Sequence, residues 1–272
     1  MTRRTPTGWG PKLLIGIGLA FLTLVLLLPV ITVFVEAFGA GLAAYWGAIN
    51  QPPALHALRL TLLITAIAVP LNTVFGLLIS WILARRSIRG KALILALLDL
   101  PLSISPIVVG FMVILLFSPE IGLFADVINR SGVKIVFATP GLVLTLLFVT
   151  VPFVAREVYP AMQEVPREEE EAASCLGAST WDTFLSVTLP HIRPALIYGV
   201  ILCTARAVGE FGAISVVSGK IINATNTLTL HVERTYMEYD STAAFACASL
   251  LGSVALLSLA IQTLIRHQNL RT

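Results

Sequence analysis

The chain has 272 residues, a net charge of +3, 57% hydrophobic residues and only 12% charged ones. A soluble domain carries about twice that share of charge, so composition excludes a large soluble domain and gives no support to nucleic-acid binding. Three cysteines (Cys175, Cys203, Cys247) and four histidines (His56, His191, His231, His267) are scattered, with no metal-ligand or redox spacing.

The first apolar segment covers about 13–37. Its uncharged run from Leu13 to Val35 is longer than a signal-peptide core, so it is read as a retained anchor. The second covers 58–83, and Arg85, Arg86, Arg89 and Lys91 fill the short connection to the third, 92–117. Asp99, Pro101, Ser103, Ser105 and Pro106 interrupt that third segment. Paired prolines free backbone carbonyls, so the interruption is either part of a transport path or a packing kink. Asp99 is expected to pair with an arginine rather than hold an anion. A fourth segment covers 139–160.

The connection that follows, 161–194, has its own punctuation. Pro166 suits the first turn of a helix, and Glu168 to Glu171 sit where the helix dipole favours negative charge. Ala172, Ala173 and Leu176 form a short apolar face, and Gly177 stops the helix in a left-handed conformation. Ser179 and Asp182 resemble a capping box for a second helix with Trp181, Phe184, Leu185 and Val187, which Pro190 is expected to end. The spacing predicts a rigid helix–turn–helix elbow rather than a solvated acidic loop.

The fifth segment, 195–217, carries Arg206 with Glu210 one helical turn on. A charge within a span faces a cavity or a partner. Arg206 therefore either pairs internally with Glu210 or meets a transported anion, and the two residues are expected to form a gate element. Ala205, Gly209, Gly212 and Ala213 would allow close approach of another helix. The polar stretch 218–240, with Lys220, Asn226 and Thr227, is either a docking surface or a loop shielding its neighbours. The sixth segment covers 243–265.

Each segment is long enough to cross a bilayer as a helix. Arg3, Arg4, Lys12, the 85–91 cluster, Arg156, Arg167, Arg193, Arg266 and Arg271 fall on one side of the resulting topology. Only Arg59, Arg130, Lys134, Lys220 and Arg234 fall on the other. The positive-inside rule then puts both termini and the elbow in the cytoplasm. The fold class is all-α, a polytopic membrane protein of about six spans. Its parts are 1–57 with the first span, a core 58–266 containing the elbow, and a tail 267–272.

Glu171-Ala172-Ala173, Gly177-Ala178, Phe184, Val187, Leu189-Pro190 and Pro194 resemble the EAA signature of permease subunits of bacterial ABC importers. That resemblance implies that Glu170, Glu171, Ala172, Ala173, Leu176, Gly177 and Ala178 couple to a separate ATPase. A phosphate loop is not present at Gly212 or Gly219-Lys220, where the spacing is too long and Ile221 replaces the hydroxyl residue. ATP and magnesium would bind the partner, and this chain would hold no cofactor and no metal.

Further stretches are similar to the sulfate/thiosulfate branch of these permeases, and within it to the W-type subunit. They include Val69-Pro70-Leu71-Asn72, Asp99-Leu100-Pro101, Ser105-Pro106, Ala205 to Ala213, Ser215 to Gly219 and Thr225 to Leu228. The Arg206–Gly212 stretch is shared with molybdate permeases, and Ile221 to Ala224 departs from the branch by being less glycine-rich and less basic. The resemblance implies a homologous T-type permease partner, two ATPase subunits and an extracytoplasmic sulfate-binding protein, in a bacterial inner membrane. Asp99, Ser103, Ser105, Arg206 and Glu210 are the candidates for the path or gate, and the resemblance implies that the segment with Lys220, Asn226 and Thr227 receives the binding protein. A secondary transporter would call for internal repeats and a relay of buried ionisable groups; the sequence shows no repeat, and such a transporter would leave the elbow unexplained.

Overall fold

The computed structural model describes residues 9–269, and every regular element among the described residues is helical. Arg3, Arg4 and Arg271, and the side chain of Arg266, which contribute to the charge asymmetry, lie outside the described residues. In chain order the elements are α1 (Trp9–Leu22), α2 (Leu28–Gly39), α3 (Leu42–Ile49), α4 (Pro52–Arg85), α5 (Lys91–Ser103), α6 (Pro106–Phe117) and α7 (Ala125–Ser131). They continue with α8 (Thr139–Glu164), α9 (Arg167–Cys175), α10 (Thr180–Thr183), α11 (Leu189–Val208), α12 (Gly212–Val217), α13 (Leu228–Met237) and α14 (Ser241–Asn269). A π-helical turn, Thr23–Leu27, joins α1 to α2, and another, Phe184–Thr188, joins α10 to α11.

Among the described residues, five helical stretches are long and apolar enough to cross a membrane, or six if the bent pair α5–α6 counts as one span. The protein is thus a multi-pass membrane protein. The expected interruption of the third span is a sharp one: α5 and α6 diverge by 107°. Pro106 drives Ser105 out of the helical region, to φ −58° and ψ 133°, and Ile104 is extended as well.

The fifth span differs from the expected 195–217 at both ends. It runs from Thr180 to Val208, then breaks at Gly209 to Phe211. Pro190 does not end the elbow's second helix. The π turn has Leu189 N–H bonding five residues back to Phe184 O, and Pro190 falls in the first turn of α11, where its missing N–H is tolerated.

Helix α8 is the centre of the bundle, packed between α4 and α11. Glycine permits both approaches. A Cβ at Gly76 would stand 2.9 Å from Val154 Cβ, and one at Gly199 would stand 3.1 Å from Val154 Cα. Asn72 is buried and locks the first seam, donating to Thr150 Oγ1 at 2.8 Å and to Leu147 O at 3.1 Å. Leu60, Ile64, Leu142, Leu146, Val158, Met162 and Ile192 fill the space around this three-helix core. A second layer forms where α14 packs on α2, α3 and α13, with Tyr45 OH 3.1 Å from Ser249 Oγ. No residue in the apolar window of the first span is buried within the chain, although α2 lies against α14, so lipid or another subunit must cover its outer face.

Candidate functional site

The elbow follows from a chain of local rules. Pro166 stands at the extended N-cap position of α9, just before the first turn in which it was expected, and Arg167 with three glutamates makes that turn. Gly177 takes φ +90° just beyond the helix. Ala178 N–H bonds Ala173 O at 3.1 Å and Gly177 N–H bonds Ser174 O at 3.0 Å, the paired bonds of a Schellman motif. Ser179 then caps α10 reciprocally with Asp182, each backbone N–H donating to the other's side chain at 3.2 Å. Trp181 and Phe184 stack at 5.7 Å.

Helix α9 has two faces. Glu168, Glu171, Ala172, Cys175 and Leu176 form an exposed stripe at helical spacing, and Leu176 at its tip is 90% exposed. Ala173 and Ala178 are half-buried on the other side. Glu170, expected on the docking surface, instead points inward. Its Oε1 accepts from Arg85 Nη2 at 2.7 Å, Arg85 Nε at 3.2 Å and Thr188 Oγ1 at 2.7 Å. Glu169 lies 3.5 Å from His191 Nε2.

In the third span, Asp99 meets Arg156 of α8 at 3.5 Å, the arginine partner its sequence context called for. Each residue lies about 12 Å along its helix from the elbow-side end, taking 1.5 Å per residue. Their side chains are nonetheless 49% and 56% exposed. A half-exposed ion pair at that depth must face water or another subunit, not lipid. Ser103 Oγ donates to Asp99 O at 3.5 Å, and Ser105 precedes α6 as its N-cap residue.

In the fifth span, Arg206 and Glu210 form an ion pair, with Glu210 only 1% exposed. The other carboxylate oxygen accepts Ala213 N–H at 2.8 Å, and Thr229 Oγ1 donates to Glu210 O at 2.9 Å. Glu210 therefore fixes the break between α11 and α12 and ties it to α13. Close packing here comes through Gly110 of α6, where a Cβ would meet Ala213 O and Val216 Cβ at 2.7 Å. Gly212 packs on Pro106, whereas a Cβ at Gly209 would meet only its own helix.

Beyond the break, Lys220 is exposed and pairs with Glu233 at 2.6 Å. Asn226 and Thr227, expected on a docking surface, are 2% and 1% exposed. The chain turns them inward because Leu228 N–H donates to Thr61 Oγ1 at 2.8 Å, drawing the start of α13 onto α4. The exposed large apolar and aromatic side chains of this segment are Ile221, Ile222, Tyr236, Met237 and Tyr239. His231 of α13 is buried. Its burial, and then the charge of Arg234, depress the imidazole below its ordinary range, with Glu238 and Asp240 opposing.

Sequence reasoning missed Arg85 and Thr188 as partners of Glu170. It had counted Arg85 only as part of a basic connection, and the two partners lie 85 and 18 residues away. It likewise missed the Asn72–Thr150 bond, since a mid-span asparagine carries no sign of which helix it meets.

Residues 76–270 match the family described as binding-protein-dependent transport system inner membrane component. "Sulfate permease 2, chloroplastic" of Chlamydomonas reinhardtii is 49% identical, covering 91% of this chain and 67% of that protein. "Sulfate transport system permease protein CysW" of Synechococcus elongatus is 46% identical, covering 94% and 89%. A chain in the crystal structure of a bacterial alginate ABC transporter, in complex with alginate pentasaccharide-bound periplasmic protein, superposes with a TM-score of 0.75. It covers 97% of this chain and 94% of that one at 16% identity, a likeness of fold alone. By the match over most of its length, the chain belongs to the family of binding-protein-dependent transport system inner membrane components.

Proposed function

We propose that the chain is the W-type permease subunit of an ATP-driven importer of sulfate or thiosulfate. The observation that carries this reading is the elbow: a rigid, capped structure presenting a bare Leu176 at the end of an otherwise apolar bundle. Similarity along most of the chain to sulfate permeases supports the choice of cargo. The subunit is a transport component rather than an enzyme. ATP and magnesium bind a separate ATPase, two copies of which receive the elbows of this subunit and of a homologous T-type partner. An extracytoplasmic sulfate-binding protein delivers the anion. The chain lies in a bacterial inner membrane with both termini and the elbow in the cytoplasm.

A second permease subunit answers a physical need. The half-exposed Asp99–Arg156 pair must face water or a neighbouring subunit rather than lipid, and a partner that encloses a path together with this chain would provide that surrounding. Differential docking of the elbow in the two motor states would shift the membrane helices between inward- and outward-open forms. Arg206 and Glu210 act as a gate element, holding the hinge at which α11 gives way to α12. The exposed Lys220 contributes to the face that receives the binding protein; Asn226 and Thr227 act from beneath it, by shaping the segment.

The test is uptake of labelled sulfate into vesicles containing both permease subunits, with and without the ATPase and binding protein. Uptake is expected only when ATP and the ATPase are present, with thiosulfate competing and molybdate failing to compete. Transport by this chain alone would overturn the reading, and competition by molybdate alone would move it to the molybdate/tungstate class.

A further inference from the structure

Glu170 stands at a junction of three elements. It lies on α9, yet its Oε1 is held by Arg85 from the last turn of α4 and by Thr188 from the turn that opens α11. The side chains of Arg85 and Glu170 are 11% and 18% exposed, and Thr188 is 1% exposed. Two weaker bonds close the same joint: Arg85 Nη2 to Val165 O and Arg167 Nη2 to Ala84 O, both at 3.5 Å. Three donor atoms, two from Arg85 and one from Thr188, converge on one oxygen atom. Pulling α9 away from either span would leave a nearly buried charge or hydroxyl without its partner, which is costly.

The remaining charges of the elbow are arranged differently. Glu168 and Glu171 lie on the outward stripe with Leu176, free for a docking partner. Glu169 makes a half-exposed contact with His191. Glu170 alone among the four glutamates reaches two membrane spans.

We infer that Arg85, Glu170 and Thr188 are positioning residues that transmit the motion of the docked elbow to α4 and α11. The outward stripe takes the push; the clasp makes α4 and α11 move with it instead of letting α9 swing on its flanking turns. Because α4 and α11 both pack on α8, the clasp delivers that motion to the core of the bundle. The inference rests on the reading of α9 as an ATPase-docking elbow.

The experiment uses the complete transporter with the variants Arg85→Gln, Glu170→Gln and Thr188→Val, and the exchange Arg85→Glu with Glu170→Arg. Co-purification of the ATPase with the unaltered permease tests the docking reading by itself. The variants are expected to insert, to retain the ATPase and to hydrolyse ATP. Anion transported per ATP should fall about tenfold, within the usual range of coupling energies. The exchange pair should recover most of that ratio, an outcome that general loss of stability does not produce. An unchanged ratio in Arg85→Gln and Glu170→Gln overturns the inference. So does loss of ATPase binding in Glu170→Gln alone, which would make Glu170 a direct docking contact.

Discussion

Glu210 holds Arg206 with one carboxylate oxygen and the Ala213 N–H with the other, from a position almost fully removed from solvent. The pair is therefore both an ion pair within one helix turn and a cap on the next helix. Glu210→Gln keeps an acceptor for Ala213 but leaves Arg206 without a counter-charge. Breaking a fully buried pair costs about 3–5 kcal/mol, and Arg206 at 33% exposure lowers the expected loss to about 2 kcal/mol. Arg206→Gln with Glu210→Gln together should melt higher in detergent than Glu210→Gln alone. Unchanged uptake and ATP coupling in Glu210→Gln would show that the pair has no part in the gate.

Gly177 is the bend of the elbow. A Cβ there meets nothing within 4 Å, so the cost of substitution comes from its φ of +90° and not from crowding. A β-branched residue resists that conformation and asparagine tolerates it. Gly177→Val should insert normally and lose ATPase co-purification, whereas Gly177→Asn should retain it. Equal co-purification by both would show that the bend does not set the docking geometry.

The elbow was legible in sequence because its signals are local: Pro166, Gly177 and the Ser179–Asp182 box each act within one turn. The spans were legible for the same reason, since hydropathy needs no partner. What escaped was tertiary. The Phe184–Thr188 π turn carried Pro190 into a continuing helix, although a proline in isolation reads as a stop. Glu170 looked like one of four equivalent glutamates until α4 and α11 were brought to it. Asn226 and Thr227 looked like loop polarity, and the bond from Leu228 N–H to Thr61 folded them under.

Cys175 provides a reporter for docking. It is exposed on the outward stripe of α9, while Cys203 and Cys247 are buried. A small maleimide should label the native permease at Cys175 and spare the other two. Saturating ATPase subunit should slow that labelling about tenfold or more, as expected when a contact surface is removed from solvent. Replacing Leu176 with glutamate should abolish the protection by placing a charge in an apolar contact. Labelling that proceeds at the same rate with the ATPase bound would place the docking surface elsewhere.

His231 gives the segment after the fifth span a dependence on acidity. Burial and Arg234 hold its folded pKa below the ordinary 6.5. A histidine of depressed pKa takes up its proton more readily in the unfolded chain, so its contribution to stability is complete above about 6.5 and is lost as pH falls below that value. The segment is anchored to α4 and to Glu210 by Leu228 and Thr229, so local opening should loosen the hinge at Glu210 as well. Hydrogen exchange over 225–237 is expected to quicken between pH 7 and pH 5, after correction for the intrinsic exchange rate. His231→Gln should flatten that dependence; a variant that keeps the full pH response would show that His231 does not carry it.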